Sequence, residues 1–118
     1  MLTISPSTRV AFERVEEDKY IARLSQFLKE KVPAMAAVPP AEMHGQLRLL
    51  IAQARTFDLV TEAGIAAYAV TAAMLGLDFV ERFRGARVIL MSSETEERKA
   101  KLLEGFTVRL LETLGRPL

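Results

Sequence analysis

The amino-acid sequence predicts an all-α protein, an irregular bundle of about five helices around a central alanine-rich helix at about residues 61–76. Apolar residues recur at helical spacing in every long segment of the chain. The one strand-like run, residues 86–91 (ARVILM), has no second strand with which it could pair, so we interpret it as helix. Because the chain has 118 residues and no internal linker, we predict a single helical domain over residues 1–118.

The central segment, residues 61–79, reads TEAGIAAYAVTAAMLGLDF and is apolar on all sides. Thr61 is a suitable N-cap and Gly76 a suitable C-terminal stop. A helix without a polar face belongs in the interior of a fold. The predicted core therefore has this helix at its centre, and its members are Ile65, Tyr68, Ala69, Ala72, Met74, Leu47, Ile51, Phe79, Phe106 and Leu110.

The first helix is predicted to begin at Pro6, with Ser5 as its N-cap. The apolar stripe changes phase across a charged run. The pattern therefore allows either one helix over residues 6–31 or two helices with a bend near Glu17. Pro33 ends the helical segment, because a residue before proline is biased away from helical geometry.

Residues 32–40 form a connector stiffened by three prolines. We expect its apolar residues Met35 and Val38 to lie on the core, with an exposed docking strip as the alternative interpretation. The second helix is predicted to begin at Pro40 or Ala41 and to end near Phe57 and Asp58.

After the central helix, a short turn is predicted at residues 78–83, ended by Arg84 and Gly85. The spacing of Ser93 and Glu96 is typical of a capping box, in which Ser93 is the N-cap of the last helix. We expect that helix to run to about residue 114, with Leu103, Phe106, Leu110 and Leu114 on its inner face.

Composition excludes several classes of protein. The 16 basic and 15 acidic residues give a net charge of +1, which argues against binding of nucleic acid. The chain has no cysteine and one histidine, so a structural zinc site is not expected. The central apolar run is too short for a membrane span, and the first residues do not resemble a signal peptide. We expect a soluble cytoplasmic protein without membrane insertion; its oligomeric state stays open.

The residue inventory does not predict a reaction. The one histidine, His44, is expected in the first turn of a helix as a solvated or capping residue. No glycine-rich phosphate loop and no Glu-x-x-His pair occurs in the sequence. The acidic runs are typical of solvated helix faces. We therefore predict that the protein is not an enzyme and needs no cofactor, catalytic residue or metal.

A cluster near residue 84 is the candidate protein-interaction site. Its members, which we call the arginine turn, are Arg82, Phe83, Arg84 and Arg87. Arginine and aromatic side chains are enriched at protein interfaces. The alternative interpretation is a solvated turn whose phenylalanines point inward. If the turn is an interface, an acidic protein surface is the expected partner.

Residues 54–79 resemble a pattern in small helical accessory proteins that are encoded beside type VI secretion effectors in proteobacteria. The shared positions are Ala54, Arg55, Phe57, Thr61, Glu62, Tyr68, Gly76, Asp78 and Phe79. The chain departs from the family after Phe79, where further acidic residues and a tryptophan are usual and this sequence has VERF. The resemblance implies a helical, non-enzymatic accessory protein.

Two functions follow as expectations. The first is a protein-binding co-adaptor or co-chaperone that helps load a type VI secretion effector. The second is an immunity-type protein that neutralises a toxin effector. An acidic concave surface would favour the immunity role, and an apolar or arginine-rich patch would favour the adaptor role.

Overall fold

The computed structural model describes residues 6–115, with their side chains from residue 17 onward. Within this part of the chain it contains six α-helices, one 3-10 turn and no strand. The helices are α1 (Pro6–Lys31), α2 (Pro40–Thr56), α3 (Glu62–Leu75), α4 (Phe79–Arg82), α5 (Arg84–Met91) and α6 (Glu96–Thr113), and the 3-10 turn is Pro33–Ala37. The all-α prediction is confirmed, and the strand-like run forms helix α5.

The first helix is continuous, which selects the first of the two predicted alternatives. Its predicted N-cap, Ser5, lies outside the described residues. Val32 is extended (φ −120°, ψ 99°) before the 3-10 turn, as expected for a residue that precedes proline. Met35 and Val38 are partly buried and pack against the core. These two side chains therefore lie on the core as expected, whereas the prolines and alanines around them are exposed.

Helix α3 has the ends that the sequence predicts. The Thr61 hydroxyl accepts a hydrogen bond from the backbone N–H of Gly64 at 3.1 Å, which makes Thr61 the N-cap. Gly76 follows the helix with φ +111°, a conformation that L-residues rarely adopt. These two residues fix the start and the end of the helix on which the fold is centred.

Most of the predicted core is buried. The buried members are Ile65, Tyr68, Ala69, Ala72, Leu47, Ile51 and Phe79. The prediction is wrong for Met74, which is half-buried, whereas Phe106 and Leu110 are half-buried and pack against this core. On α6 the buried positions are Lys99, Leu103, Thr107 and Leu111, and Leu114 is 54 % exposed. The inner face of α6 is thus rotated from the predicted stripe, and its centre is the hydroxyl-bearing Thr107.

An aromatic cluster joins α2, α3 and α4. The Phe79 ring is completely buried, and its centroid lies 4.9 Å from that of Tyr68. The Tyr68 hydroxyl donates a hydrogen bond to Gln53 Oε1 at 3.2 Å. Burial, and after it the nearby charge of Glu81, raises the pKa of Tyr68 to about 12, so the hydroxyl stays a donor at neutral pH.

The break between α4 and α5 falls at Phe83, whose backbone is extended (φ −119°, ψ 102°). The sequence placed this break at Arg84 and Gly85, but both lie inside α5. Gly85 instead permits close helix packing: a Cβ there would lie 2.5 Å from Cε2 of Phe106 on α6. The glycine is therefore a contact point between α5 and α6.

Helix α3 packs against α6 and α1 on its two sides and against α2 behind. No helix in residues 6–115 is both long and apolar enough to cross a membrane. The arrangement leaves one face of α3 without a covering helix.

Candidate functional site

A groove of about 1110 Å³ follows the uncovered face of α3, with α1 as one wall and α6 as the other. The α1 wall contributes Phe27 and Lys31. The floor is formed by Thr61, Ala63, Gly64, Ala66, Ala67, Val70, Thr71 and Met74. The α6 wall is formed by Thr95, Glu96, Glu97, Ala100, Lys101, Glu104, Thr107 and Val108.

The floor of the groove is a helical stripe of apolar side chains. Ala63, Ala67, Val70 and Met74 follow one another at intervals of three or four residues along α3. They span about 17 Å at 1.5 Å per residue, or three helical turns. Because α3 is apolar on all sides, whichever face its neighbours leave uncovered presents apolar groups to solvent. Phe27 extends this surface onto the α1 wall and is 40 % exposed.

Helix α1 is fixed against the start of α3 by polar contacts to one residue. The Tyr20 hydroxyl donates to the backbone carbonyl of Glu62 at 2.8 Å, and Arg23 forms an ion pair with the Glu62 carboxylate at 2.5 Å. Burial, and after it the charge of Glu62, raises the pKa of Tyr20 to about 12. Further along α1, Leu28 and α3 residue Ala72 line the same small cavity behind the groove. The two helices therefore run in the same direction.

Helix α6 is fixed to the same end of α3 by the Glu96 carboxylate. Its Oε1 accepts hydrogen bonds from Val60 N at 2.9 Å, Thr61 N at 2.7 Å and Thr61 Oγ1 at 2.6 Å. We call this contact the Glu96 clasp. It places a negative charge at the N-terminus of α3, where the helix dipole favours it. Both walls thus run alongside the floor from a common end.

The clasp replaces the capping box that the sequence predicted. The N-cap of α6 is Thr95, whose hydroxyl accepts from the backbone N–H of Arg98 at 3.2 Å, and Ser93 precedes the helix. Glu96 is consequently the first residue of α6, too early to reach back to its own N-cap as a capping box requires. Its carboxylate finds its partners on α3, across 35 and 36 residues of sequence.

The charge of Glu96 is favoured by its surroundings. Desolvation acts to raise the pKa of its carboxyl, but the hydrogen bonds from Thr61 and Val60 and the positive charge of Lys99 outweigh this effect, and the pKa is lowered. Lys99 is 4 % exposed, and its Nζ donates to the backbone carbonyl of Phe57 at 3.0 Å. The first turn of α6 thus contacts both ends of the loop between α2 and α3.

Gly64 allows the carboxylate to come this close. A Cβ at this position would lie 2.9 Å from both Cγ and Cδ of Glu96, and closer still to Oε1. Any larger residue would therefore have to displace the Glu96 side chain. The glycine and the glutamate form one unit at the end of the groove.

Each wall carries one charged side chain that forms no ion pair within the described residues, and these two charges are of opposite sign. On α6, Lys101 pairs with Glu97 at 3.5 Å, one turn away, which leaves Glu104 without an ion pair. On α1, Lys31 is exposed and likewise makes none. The groove is accordingly apolar along its floor and mixed in charge at its walls.

The arginine turn lies away from this groove, where α4 meets α5. Arg82, Arg84 and Arg87 are exposed, and the guanidinium carbon of Arg82 lies 5.3 Å from the centroid of the Phe83 ring. Phe83 is partly buried and packs edge-on against Phe106, with 6.3 Å between centroids. Arg82 also forms an ion pair with Asp78 at 3.7 Å, so Arg84 and Arg87 are the cations of this turn that are available to a partner, whereas the phenylalanine already has contacts within the fold. The binding role predicted for this turn stays a prediction.

The described residues do not assemble a recognisable reaction centre. His44 is half-buried within α2, and residues 17–115, whose side chains are described, contain no group of three or more His, Asp or Glu side chains that could hold a metal ion. Comparison with protein-family models, with curated proteins and with solved structures finds no significant match. The groove was missed from the sequence because an all-apolar helix gives no indication of which face its neighbours leave uncovered.

Proposed function

We propose that this protein works by binding an amphipathic helix of another protein in the groove between α1, α3 and α6, and that it catalyses no reaction. The observation that carries the proposal is the apolar floor of α3, three helical turns long and open to solvent between two walls. Contiguous exposed apolar surface in a groove with polar walls is typical of partner sites. A helix laid in a groove with anchors at helical spacing is a recurrent mode of recognition.

The dimensions of the groove favour a helix over a small ligand. Its volume of about 1110 Å³ is slightly above the roughly 300–1,000 Å³ of most small-molecule sites, and its floor is elongated along three turns of α3. The side chains of the floor are small at Ala63 and Ala67, so the backbone of a partner helix can approach α3 closely there. The floor is bulkier at Val70 and Met74, so the backbone of a partner helix lies farther from α3 there.

A second copy of this chain fits the groove less well. Helix α5 has the exposed apolar side chains Val88 and Met91, but it is eight residues long and shorter than the floor. Its charged residues are the arginines Arg84 and Arg87, so it offers no acidic group to Lys31. We therefore assign the groove to a helix of a different protein.

The groove also bears on the two roles expected from sequence. It is concave but not predominantly acidic, because Lys31 on the α1 wall and Lys101 on the α6 wall offset Glu97 and Glu104, and Glu96 is engaged in the clasp. By the criterion set above, this favours an adaptor or chaperone role over an immunity role. The secretion setting and the cytoplasmic location come from the sequence and the resemblance, and they remain part of the proposal.

A titration with a synthetic peptide tests the binding site. The probe is a capped helical peptide of about fourteen residues with leucines at i, i+4, i+7 and i+11 and uncharged flanks. Added to the ¹⁵N-labelled full chain, it should shift amide signals of α1, α3 and α6 at the groove. Ala67→Glu, which places a charge in the floor, should weaken binding by about tenfold or more. Ala52→Glu, on an exposed face of α2, is the matched control and should bind normally.

Other outcomes would overturn the proposal. Shifts confined to the arginine turn, or equal binding by Ala67→Glu and wild type, would remove the groove from the mechanism. Self-association in sedimentation equilibrium that Ala67→Glu abolishes would make the occupant a second copy of the chain.

A further inference from the structure

We infer that the groove selects a partner helix that carries an acidic residue on one flank of its apolar stripe and a basic residue on the other flank. The two residues lie at the same position along the helix axis. This inference rests on the proposed function and specifies its partner. It follows from Lys31 and Glu104, the two wall charges that no ion pair satisfies within the described residues.

The level of Lys31 along the groove follows from the contacts of α1. Arg23 pairs with Glu62 at the start of α3. Lys31 lies eight residues beyond Arg23, and Val70 lies eight residues beyond Glu62. Because the two helices run in the same direction, each has advanced about 12 Å, which puts Lys31 on the α1 wall within about one turn of Val70.

The level of Glu104 follows in the same way from the clasp. Glu96 contacts Thr61 and is closely approached by Gly64. Glu104 lies eight residues further along α6, so it stands beside the stretch of α3 at 69–72. Lys31 and Glu104 are therefore on opposite walls within about one helical turn of each other, with the apolar floor between them.

A helix in this groove presents one flank to each wall. A flank that meets a wall charge of opposite sign gains a partly exposed ion pair, and a flank of like sign is repelled. A helix with one acidic and one basic flank can form ion pairs with both walls in only one of the two directions in which its axis can lie along the groove. The two charges thus select the partner's flanks and fix the direction in which it lies.

Three further peptides test this rule, built on the uncharged probe with flanks that are one acidic and one basic, both acidic, or both basic. Wild type should bind the mixed peptide about threefold to tenfold more tightly than either like-charged peptide at low salt, measured by fluorescence anisotropy. Lys31→Glu should prefer the doubly basic peptide, and Glu104→Lys the doubly acidic one. The preference should fade at high salt. Arg109→Glu, on α6 outside the groove, should keep the wild-type order.

The outcomes separate this inference from the proposed function. Equal binding of the three charged peptides by wild type, or an unchanged order in both groove variants, would overturn the charge rule while the groove remains a binding site. If the uncharged probe and all three charged peptides fail to bind wild type, the proposed function itself fails.

Discussion

Replacing Gly64 with alanine should destabilise this protein, although the same change inside a helix normally stabilises. Alanine has the higher helix propensity, which is worth about 0.5–1 kcal/mol at an unobstructed position. In α3, however, the new Cβ would displace the Glu96 carboxylate and break its hydrogen bonds to Val60 and Thr61. The outcome depends on which of these effects is larger.

The hydrogen bonds of the clasp outweigh helix propensity. Three bonds are lost, and each is worth about 0.5–1 kcal/mol here, at the lower end of the usual range because water can reach Val60 and Thr61 once the carboxylate leaves. The total loss is about 1.5–3 kcal/mol. After the gain in propensity, we expect Gly64→Ala to lower the free energy of unfolding by about 0.5–2.5 kcal/mol, measured by urea denaturation followed by circular dichroism.

A double-mutant cycle isolates the cause. In a Glu96→Ala background the obstruction is absent, so adding Gly64→Ala should stabilise by about 0.5–1 kcal/mol, a reversal of sign. Gly45→Ala in α2 is the matched control, since its Cβ would have no atom within 4 Å, and it should stabilise the wild-type chain by a similar amount. If Gly64→Ala stabilises the wild type as much as Gly45→Ala does, the argument from the clasp is refuted.

Two further predictions concern the same framework. Because the pKa of Glu96 is lowered in the folded state, its ionised form stabilises the fold above the ordinary glutamate pKa of 4.5, and this contribution is lost as pH falls below that value. The difference in unfolding free energy between wild type and Glu96→Gln should therefore shrink between pH 7 and pH 3. A difference that stays constant with pH would contradict this assignment. Phe79→Ala should cost about 3–5 kcal/mol because it empties a fully buried site beside Tyr68, whereas Val88→Ala on the exposed face of α5 should cost less than about 1 kcal/mol in the same urea experiment.

The limits of α3 could be predicted because they depend on local chemistry. Thr61 at the start and Gly76 at the end act through their own hydroxyl and backbone conformation, whatever surrounds them. The helical state of residues 86–91 was predicted by elimination, since a lone strand has no partner. These features need no knowledge of how the helices pack.

The partners of Glu96 and the position of the groove could not be predicted, because both depend on tertiary packing. A Ser-x-x-Glu pattern is consistent with a capping box, yet the neighbouring Thr95 is an equally good N-cap, and its use moves Glu96 to the first helical position. Met74 was assigned to the core because α3 has no polar face to distinguish its sides. The arginine turn was chosen on composition, which does not reveal that Phe83 already packs against Phe106.

The Glu96 clasp and the Lys99 contact have a consequence for biosynthesis. Both groups belong to α6, which the ribosome produces after every other helix described. Until α6 has been synthesised, the loop between α2 and α3 lacks its contacts with Glu96 and Lys99, and two apolar faces of α3 are exposed to solvent. Such exposure of apolar surface favours aggregation. One wall of the groove is also missing at that stage. If the groove binds a partner helix as proposed, it can do so only once translation has passed α6, because the docking of α6 that completes the fold also completes the groove.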